Sequence, residues 1–199
     1  MRSSTPSDVD ALASIYAEHV LRGTATFEEE VVPFSEMARR REDVLARGLP
    51  YLVATLSGED VPGGNKNTAE TVVAYAYAAP FRLRSAWRFT LEHSIYVRAD
   101  CCGGGGGARR GIGRTLLAAL MDLLARAGYR ELLAVIGDSA NAASIGLHSS
   151  AGFKHAGTWR NVGRKFGKWL DVIIMQKTMI RNGTESSDQP EDLQPCDTI

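Results

Sequence analysis

Apolar residues recur at helical spacing almost from the start of the chain. Val9, Leu12, Ile15, Tyr16 and Val20 stand three or four apart, on one face of a helix. Thr5, Pro6, Ser7 and Asp8 supply its cap and first-turn acid, and Gly23 ends it. A second helix is predicted from Ser35 through Arg47, with Gly48 where a left-handed C-cap belongs. YLVATLS (51–57) and TVVAYAYAA (71–79) read as two strands joined by a polar, turn-rich hairpin loop over 57–70. The segment 87–97 alternates with period two. Phe89, Leu91, Ile95 and Val97 fall on one face; Arg88, Thr90, Glu92, Ser94 and Tyr96 fall on the other. Helical period returns over 112–127, with Gly128 as its cap. ELLAVIG (131–137) reads as a buried strand and 141–150 as a short helix. GFKHAGTWRNVG and KWLDVIIMQKTM complete the pattern as two more strands. From 181 onward the chain is polar and acidic, and is expected to be disordered. The order predicts one mixed α/β (α+β) domain over 1–180 followed by a tail, 181–199.

Composition narrows the function. A chain of 199 residues that is 44% hydrophobic buries one substantial core. Its 23 basic and 23 acidic residues cancel, so nothing draws it to nucleic acid or a membrane surface. There is no apolar run of 18 residues and no signal-peptide core near the N-terminus, which argues against membrane spanning and secretion. Cys101, Cys102 and Cys196 form neither a disulfide framework nor a metal spacing, so a reduced, cytoplasmic setting without metal is expected.

The stretch CCGGGGGARRGIGRTLL (101–117) carries the candidate chemistry. A dinucleotide fingerprint anchored on Gly111 and Gly113 needs Gly or Ala at 116, where Leu116 stands. A P-loop from Gly106 needs Lys at 112, where Ile112 stands. What survives is the context of a strand ending near Val97, a glycine turn and then a long helix. The free amides and dipole of a helix start attract an anion. Gly111 and Gly113 keep side chains away from those amides, while Arg109, Arg110 and Arg114 add positive charge. Taken alone, the stretch reads equally well as a flexible surface loop before an ordinary helix.

Further segments decide between these readings. They are TATFEEE (24–30), APFRLRSAWRFTLEHSIYV (79–97), RRGIGRTLL (109–117), LLAVIGDSANAASIGLHSSAGF (132–153) and GTWRNVGRKFGKWLDV (157–172). Collinear over roughly 5–180, they resemble the GNAT acyltransferase superfamily and, within it, the phosphinothricin and methionine-sulfoximine N-acetyltransferases. The resemblance implies a twisted, splayed mixed sheet with helices on both faces and acetyl-CoA as co-substrate. Its pyrophosphate would lie on the amides of Arg109, Arg110, Gly111, Ile112, Gly113 and Arg114, and its pantetheine along the backbone of Ile95, Tyr96 and Val97. Asn141 would contact the pantetheine arm, with a plain N-cap as the simpler alternative.

By the same resemblance, Glu92 is the general base and His148 assists near the thioester. Independently, the setting of Glu92 among apolar strand residues would raise its pKa towards such duty. Arg82 and Arg84 would hold acidic oxygens of a small amino-acid-like acceptor through their guanidinium forks, with Phe27 and Trp87 as apolar walls. Trp169 and Asp171 also match, with packing as a sufficient role. A homodimer is implied as well. Three departures stand out. Ala108 occupies the position usually held by Gln or Arg, 101–107 is an insertion, and the expected first strand is missing or very short. The alternatives are a GNAT enzyme for another amine or a protein N-terminus, and a non-catalytic acyl-CoA-binding module.

Overall fold

The computed structural model describes residues 1–57, 60–61, 70–102 and 111–179. The glycine run, Arg109 and Arg110, most of the 57–70 loop and the 181–199 tail lie outside the described residues.

Seven strands form one sheet in the order β1-β2-β3-β4-β5-β7-β6. They are β1 (Arg2–Ser3), β2 (Tyr51–Leu56), β3 (Thr71–Pro80), β4 (Thr90–Val97), β5 (Glu131–Gly137), β6 (Lys154–Lys165) and β7 (Lys168–Thr178). The helices are α1 (Val9–Arg22), α2 (Phe34–Ala46), α3 (Ile112–Arg126) and α4 (Ala142–Ser150). All strand pairs are antiparallel except β4 with β5. The first strand is present but only two residues long, pairing Arg2 with Val53 and Ser3 with Leu52. Arg2 also grips Asp8 at the head of α1, and these hydrogen bonds hold the Asp8 carboxyl down at about 2.

Register across β3 and β4 sorts their side chains onto two faces. Ala74, Ala76 and Ala78 lie opposite Val97, Ile95 and His93, and opposed residues share a face. That face is shallow because its β3 positions are fully buried alanines. The start of α3 packs on it, with Gly113 against Val97 and Ile95 and against Leu147 of α4. Leu116, Leu117, Leu120 and Leu124 bury the inner stripe of α3 completely. Tyr75, Tyr77 and Tyr96 take the other face, where Tyr16 of α1 meets the Tyr96 ring edge-on at 5.1 Å. Helices therefore cover both faces. Glu92 lies on the α1 face and His93 on the α3/α4 face.

One strand begins later than its alternation suggests. Ser85–Trp87 is a 3-10 turn and β4 starts only at Thr90. Phe89, expected on the core face, lies before the strand and is half-exposed, although its carbonyl accepts the Arg130 and Glu131 amides. The cap at Gly48 is left-handed as expected, whereas Gly23 closes α1 with an extended backbone.

Candidate active site

The parallel strands β4 and β5 pair from Thr90↔Glu131 to His93↔Ala134 and then part. Both run on, to Val97 and Gly137. The gap between them opens a recess of about 400 Å³ including open solvent, whose walls include Ser94 and Ile95 of β4, Ile136 and Gly137 of β5, and Asn141 and His148 of α4.

Strand chemistry makes one wall of this gap polar. Arg98 donates its amide to Val73 of β3 at 2.8 Å. In an antiparallel pair the direction of backbone groups alternates, so Tyr96 and Ser94 also turn their amides and carbonyls towards β3. Ile95 and Val97 turn theirs into the gap. The Val97 carbonyl is already taken by His19 Nε2 at 3.0 Å. Ile95 in full and the Val97 amide are thus left for an arm lying between the strands. Tyr96, expected to offer its backbone too, spends it on β3.

The gap continues to the head of α3. Thr115 is the first α3 residue whose amide bonds back, to the Gly111 carbonyl at 2.9 Å. The amides of Ile112, Gly113 and Arg114 precede it and have no intrahelical carbonyl to meet. Gly111 is needed for its backbone, whose φ of +66° lies in the left-handed region that side chains resist. Gly113 differs from expectation: a Cβ there would point at Leu147, Val97 and Ile95 at 3.5–3.9 Å, in ordinary contact on the packed side of the helix head. Arg114 is exposed in the first turn of α3. In Gly111→Val a β-branched residue would be forced into the left-handed region at a cost of about 2 kcal/mol, tilting the helix start away. Affinity for acetyl-CoA, read by calorimetry, is expected to fall at least about tenfold.

Glu92 is half-buried on β4, opposite Ala79 and beside Leu133. Burial raises its pKa above the ordinary carboxylate value and the positive charge of Arg82 partly opposes this. Arg88, the obvious ion-pair partner in the sequence, instead lies over the Phe89 ring and donates to the Ser85 carbonyl. Among the described residues no cation lies within 4 Å of the Glu92 carboxylate. Arg82 stacks on Phe81 at 4.6 Å, and Trp87 meets Phe81 edge-on at 5.2 Å. Arg84 is exposed and caps the 3-10 turn through its carbonyl. The charge of Arg82 reaches Glu92, while its guanidinium stacks on Phe81.

Phe27 belongs to a separate wall. Its ring lies on Gly137 at the end of β5 and on Gly163 in β6, and a Cβ at Gly163 would collide with the ring edge. No ring contact links Phe27 with Trp87 among the described residues. The loop carrying Phe27 is tied down twice. Thr24 donates to Asp138 at 2.9 Å, and buried Lys165 donates to the Thr26 carbonyl at 2.8 Å. Asn141 caps α4 by accepting the Ser144 amide at 3.1 Å, and it also lines the gap, so both of its expected roles are geometrically open. Asp171 accepts the Asn161 amide at 2.9 Å within the irregular stretch of β6, a structural duty.

His148 is buried and faces a residue that pattern reading passed over. His93 lies 2.9 Å from it, Nε2 to Nε2. A histidine between Leu91 and Ile95 on the apolar face was the available signal. Nothing local in the sequence marked Lys165, Gly137 or Gly163, because their importance lies in contacts with the distant loop over 24–27.

The parted sheet, its polar gap and the open helix head define an acyl-CoA-dependent acyltransferase fold. Residues 1–174 match the family model described as Acetyltransferase (GNAT) domain. The chain belongs to the GNAT family and is an acetyl-CoA-dependent N-acetyltransferase. It is 44% identical over 172 residues to a phosphinothricin N-acetyltransferase of Alcaligenes faecalis, covering 86% of this chain and 78% of that one. It is 34% identical over 176 residues to an L-methionine sulfoximine/L-methionine sulfone acetyltransferase of Pseudomonas aeruginosa, covering 88% and 92%. The solved structure of a GNAT superfamily phosphinothricin acetyltransferase from Sinorhizobium meliloti in complex with AcCoA superposes with a TM-score of 0.78 at 35% identity, covering 94% and 92%. Among the described residues no group of three or more His, Cys, Asp or Glu could hold a metal, and no helix is long and apolar enough to cross a membrane.

Proposed function

We propose that the chain acetylates the free α-amino group of a small amino-acid-like acceptor of the phosphinothricin or methionine-sulfoximine kind, with Glu92 as general base. The observation that carries this reading is the Glu92 carboxylate. It is half-buried on β4, two residues before the strands part, shifted towards neutrality by burial, and free of an ion pair among the described residues. A carboxylate in that state takes a proton from an ammonium group more readily than an exposed one. Arg82, whose charge reaches Glu92, suits the acidic oxygens of such an acceptor. The names of the relatives at 44% and 34% identity point to the same acceptor class.

Acetyl-CoA supplies the acetyl group as a thioester. The chain's residues do the rest. The Ile95 backbone and the Val97 amide hold the arm, the amides at the α3 head meet its phosphates, and Glu92 deprotonates the amine. The nitrogen then attacks the carbonyl directly, so both substrates must be bound together. Thiol release should be measured against amino acids, their phosphinate and sulfoximine analogues, polyamines, aminoglycosides and peptides. Turnover concentrated on the amino-acid analogues, with intersecting double-reciprocal plots, is expected. Turnover confined to polyamines or peptides would overturn the acceptor, and a burst of acetyl-enzyme would overturn direct attack. We also propose a homodimer on the family resemblance, which sedimentation equilibrium would read as twice the 21.5 kDa chain mass.

A further inference from the structure

We propose that His93 and His148 share a single proton, and that this buried monocation at the strand gap steadies the thiolate leaving coenzyme A, with His93 as a positioning residue acting through His148. The proposal rests on the acetyl-CoA dependence of the family, not on the identity of the acceptor or on the role of Glu92.

The hydrogen bonds of the two rings require the proton. His93 Nδ1 lies 2.9 Å from the Leu133 carbonyl, and His148 Nδ1 lies 2.7 Å from the Ser144 carbonyl. A carbonyl oxygen only accepts, so each Nδ1 carries a hydrogen. A neutral imidazole has one N–H, so two neutral rings would present bare lone pairs at both Nε2 atoms. Those atoms are 2.9 Å apart, a hydrogen-bonding distance. Both residues are buried, 5% and 2% exposed, so solvent cannot relieve the repulsion. One proton between the Nε2 atoms satisfies all three contacts.

The competing arrangement is weaker. If the proton of His148 sat on Nε2, its bare Nδ1 could accept from the Ser144 hydroxyl, but only at 3.4 Å. The same lone pair would then face the Ser144 carbonyl oxygen at 2.7 Å. Burial opposes charge on both rings, and the charge of His148 pushes His93 further down, to about 3, so the pair takes up at most one added proton, the one its three contacts call for. The groups facing the pair are the Leu133 carbonyl of β5, the Ser144 carbonyl and hydroxyl of α4, and the Phe153 ring, with centroids 5.4 and 5.2 Å from the two imidazoles.

Both rings border the recess between β4 and β5. During transfer the amine nitrogen forms the new C–N bond, the C–S bond breaks, and sulfur departs with the electron pair. The shared proton stays between the rings. Its fixed charge lowers the energy of the thiolate without any reorganisation at the moment of reaction.

Histidine nitrogen shifts of the full-length 15N-labelled protein test the proton itself. Expected are two protonated Nδ1 atoms and one strongly downfield proton coupled to the facing Nε2 atoms. A bare Nδ1 on either ring overturns the proposal, and this reading needs no variant. Free coenzyme A tests the function. Difference absorbance of its thiolate in the complex should show an apparent pKa at least about one unit below that of the unbound thiol, a tenfold gain in thiolate. His93→Asn keeps a side-chain donor for the Leu133 carbonyl but cannot share the proton. It should abolish that shift and lower kcat about tenfold or more, leaving KM for acetyl-CoA within about threefold. His148→Asn should do the same. An unshifted thiol in the wild type, or a shift that survives in both variants, overturns the proposal.

Discussion

Glu92→Gln is expected to lower kcat by about 10²–10⁴-fold while leaving acetyl-CoA affinity within about twofold. The amide keeps the shape of the carboxylate on β4 and removes its ability to take a proton. Glu92 lies on the α1 face of β4, whereas the backbone groups of Ile95 and Val97 that face the gap are independent of its charge. Acid–base behaviour makes the same point from another side. A base must be ionised to act, so activity falls as pH drops through its pKa. Burial raises that pKa, so the acidic limb of kcat/KM should lie above the ordinary carboxylate value. Arg82 opposes the rise, so Arg82→Ala should move the limb further towards neutral pH. A limb that stays in place in Arg82→Ala, or a Glu92→Gln enzyme with near wild-type kcat, would remove Glu92 from the role.

Gly163→Ala is the second substitution with a large expected effect. One added methyl enters the edge of the Phe27 ring, which lies on the glycine with no room to spare. The other side of the ring faces the Gly137 backbone, where an added Cβ would stand 3.0 Å away, so Phe27 is sandwiched between two glycines. The loop cannot slide freely, held as it is by Thr24 on Asp138 and by the Lys165 ammonium on the Thr26 carbonyl. Overpacking of this kind costs about 1–3 kcal/mol. Thermal unfolding should show that loss, and KM for the acceptor should rise about tenfold because Phe27 leaves its place. A double-mutant cycle isolates the cause. In a Phe27→Ala background, Gly163→Ala should be close to neutral. Equal damage in both backgrounds would detach the glycine from the ring.

Glu92 and His148 stood out in the sequence because few residue types can exchange a proton near neutral pH, and Gly111 because it introduces its helix with a conformation that side chains resist. The gap itself was implied only by resemblance. Its physical origin is that β4 and β5 pair over four residues and then diverge, a long-range property of register. His93 shows the limit of face assignment. Alternation leaves it unremarked between Leu91 and Ile95, and only a partner 55 residues away makes a histidine there more than filler. Arg82 and Arg84 look alike in FRLRSAW and are both exposed, yet only the charge of Arg82 is felt at Glu92, while Arg84 caps the turn at Ser85–Trp87.

Periodicity determined the order of all the longer elements, because burial of one face selects between periods of two and 3.6 wherever a core forms; the two-residue first strand has no period to read. It also determined that a long helix would follow the strand ending at Val97. The tertiary structure decided which backbone groups of β4 remain free, since that depends on which residues β3 claims. It also decided why two glycines far apart in the chain must stay glycine. Those outcomes come from contacts between segments that no local pattern encodes. A Cβ is forbidden at Gly163 by a phenylalanine 136 positions earlier (163 minus 27), and two imidazoles share a proton only when the fold sets them face to face.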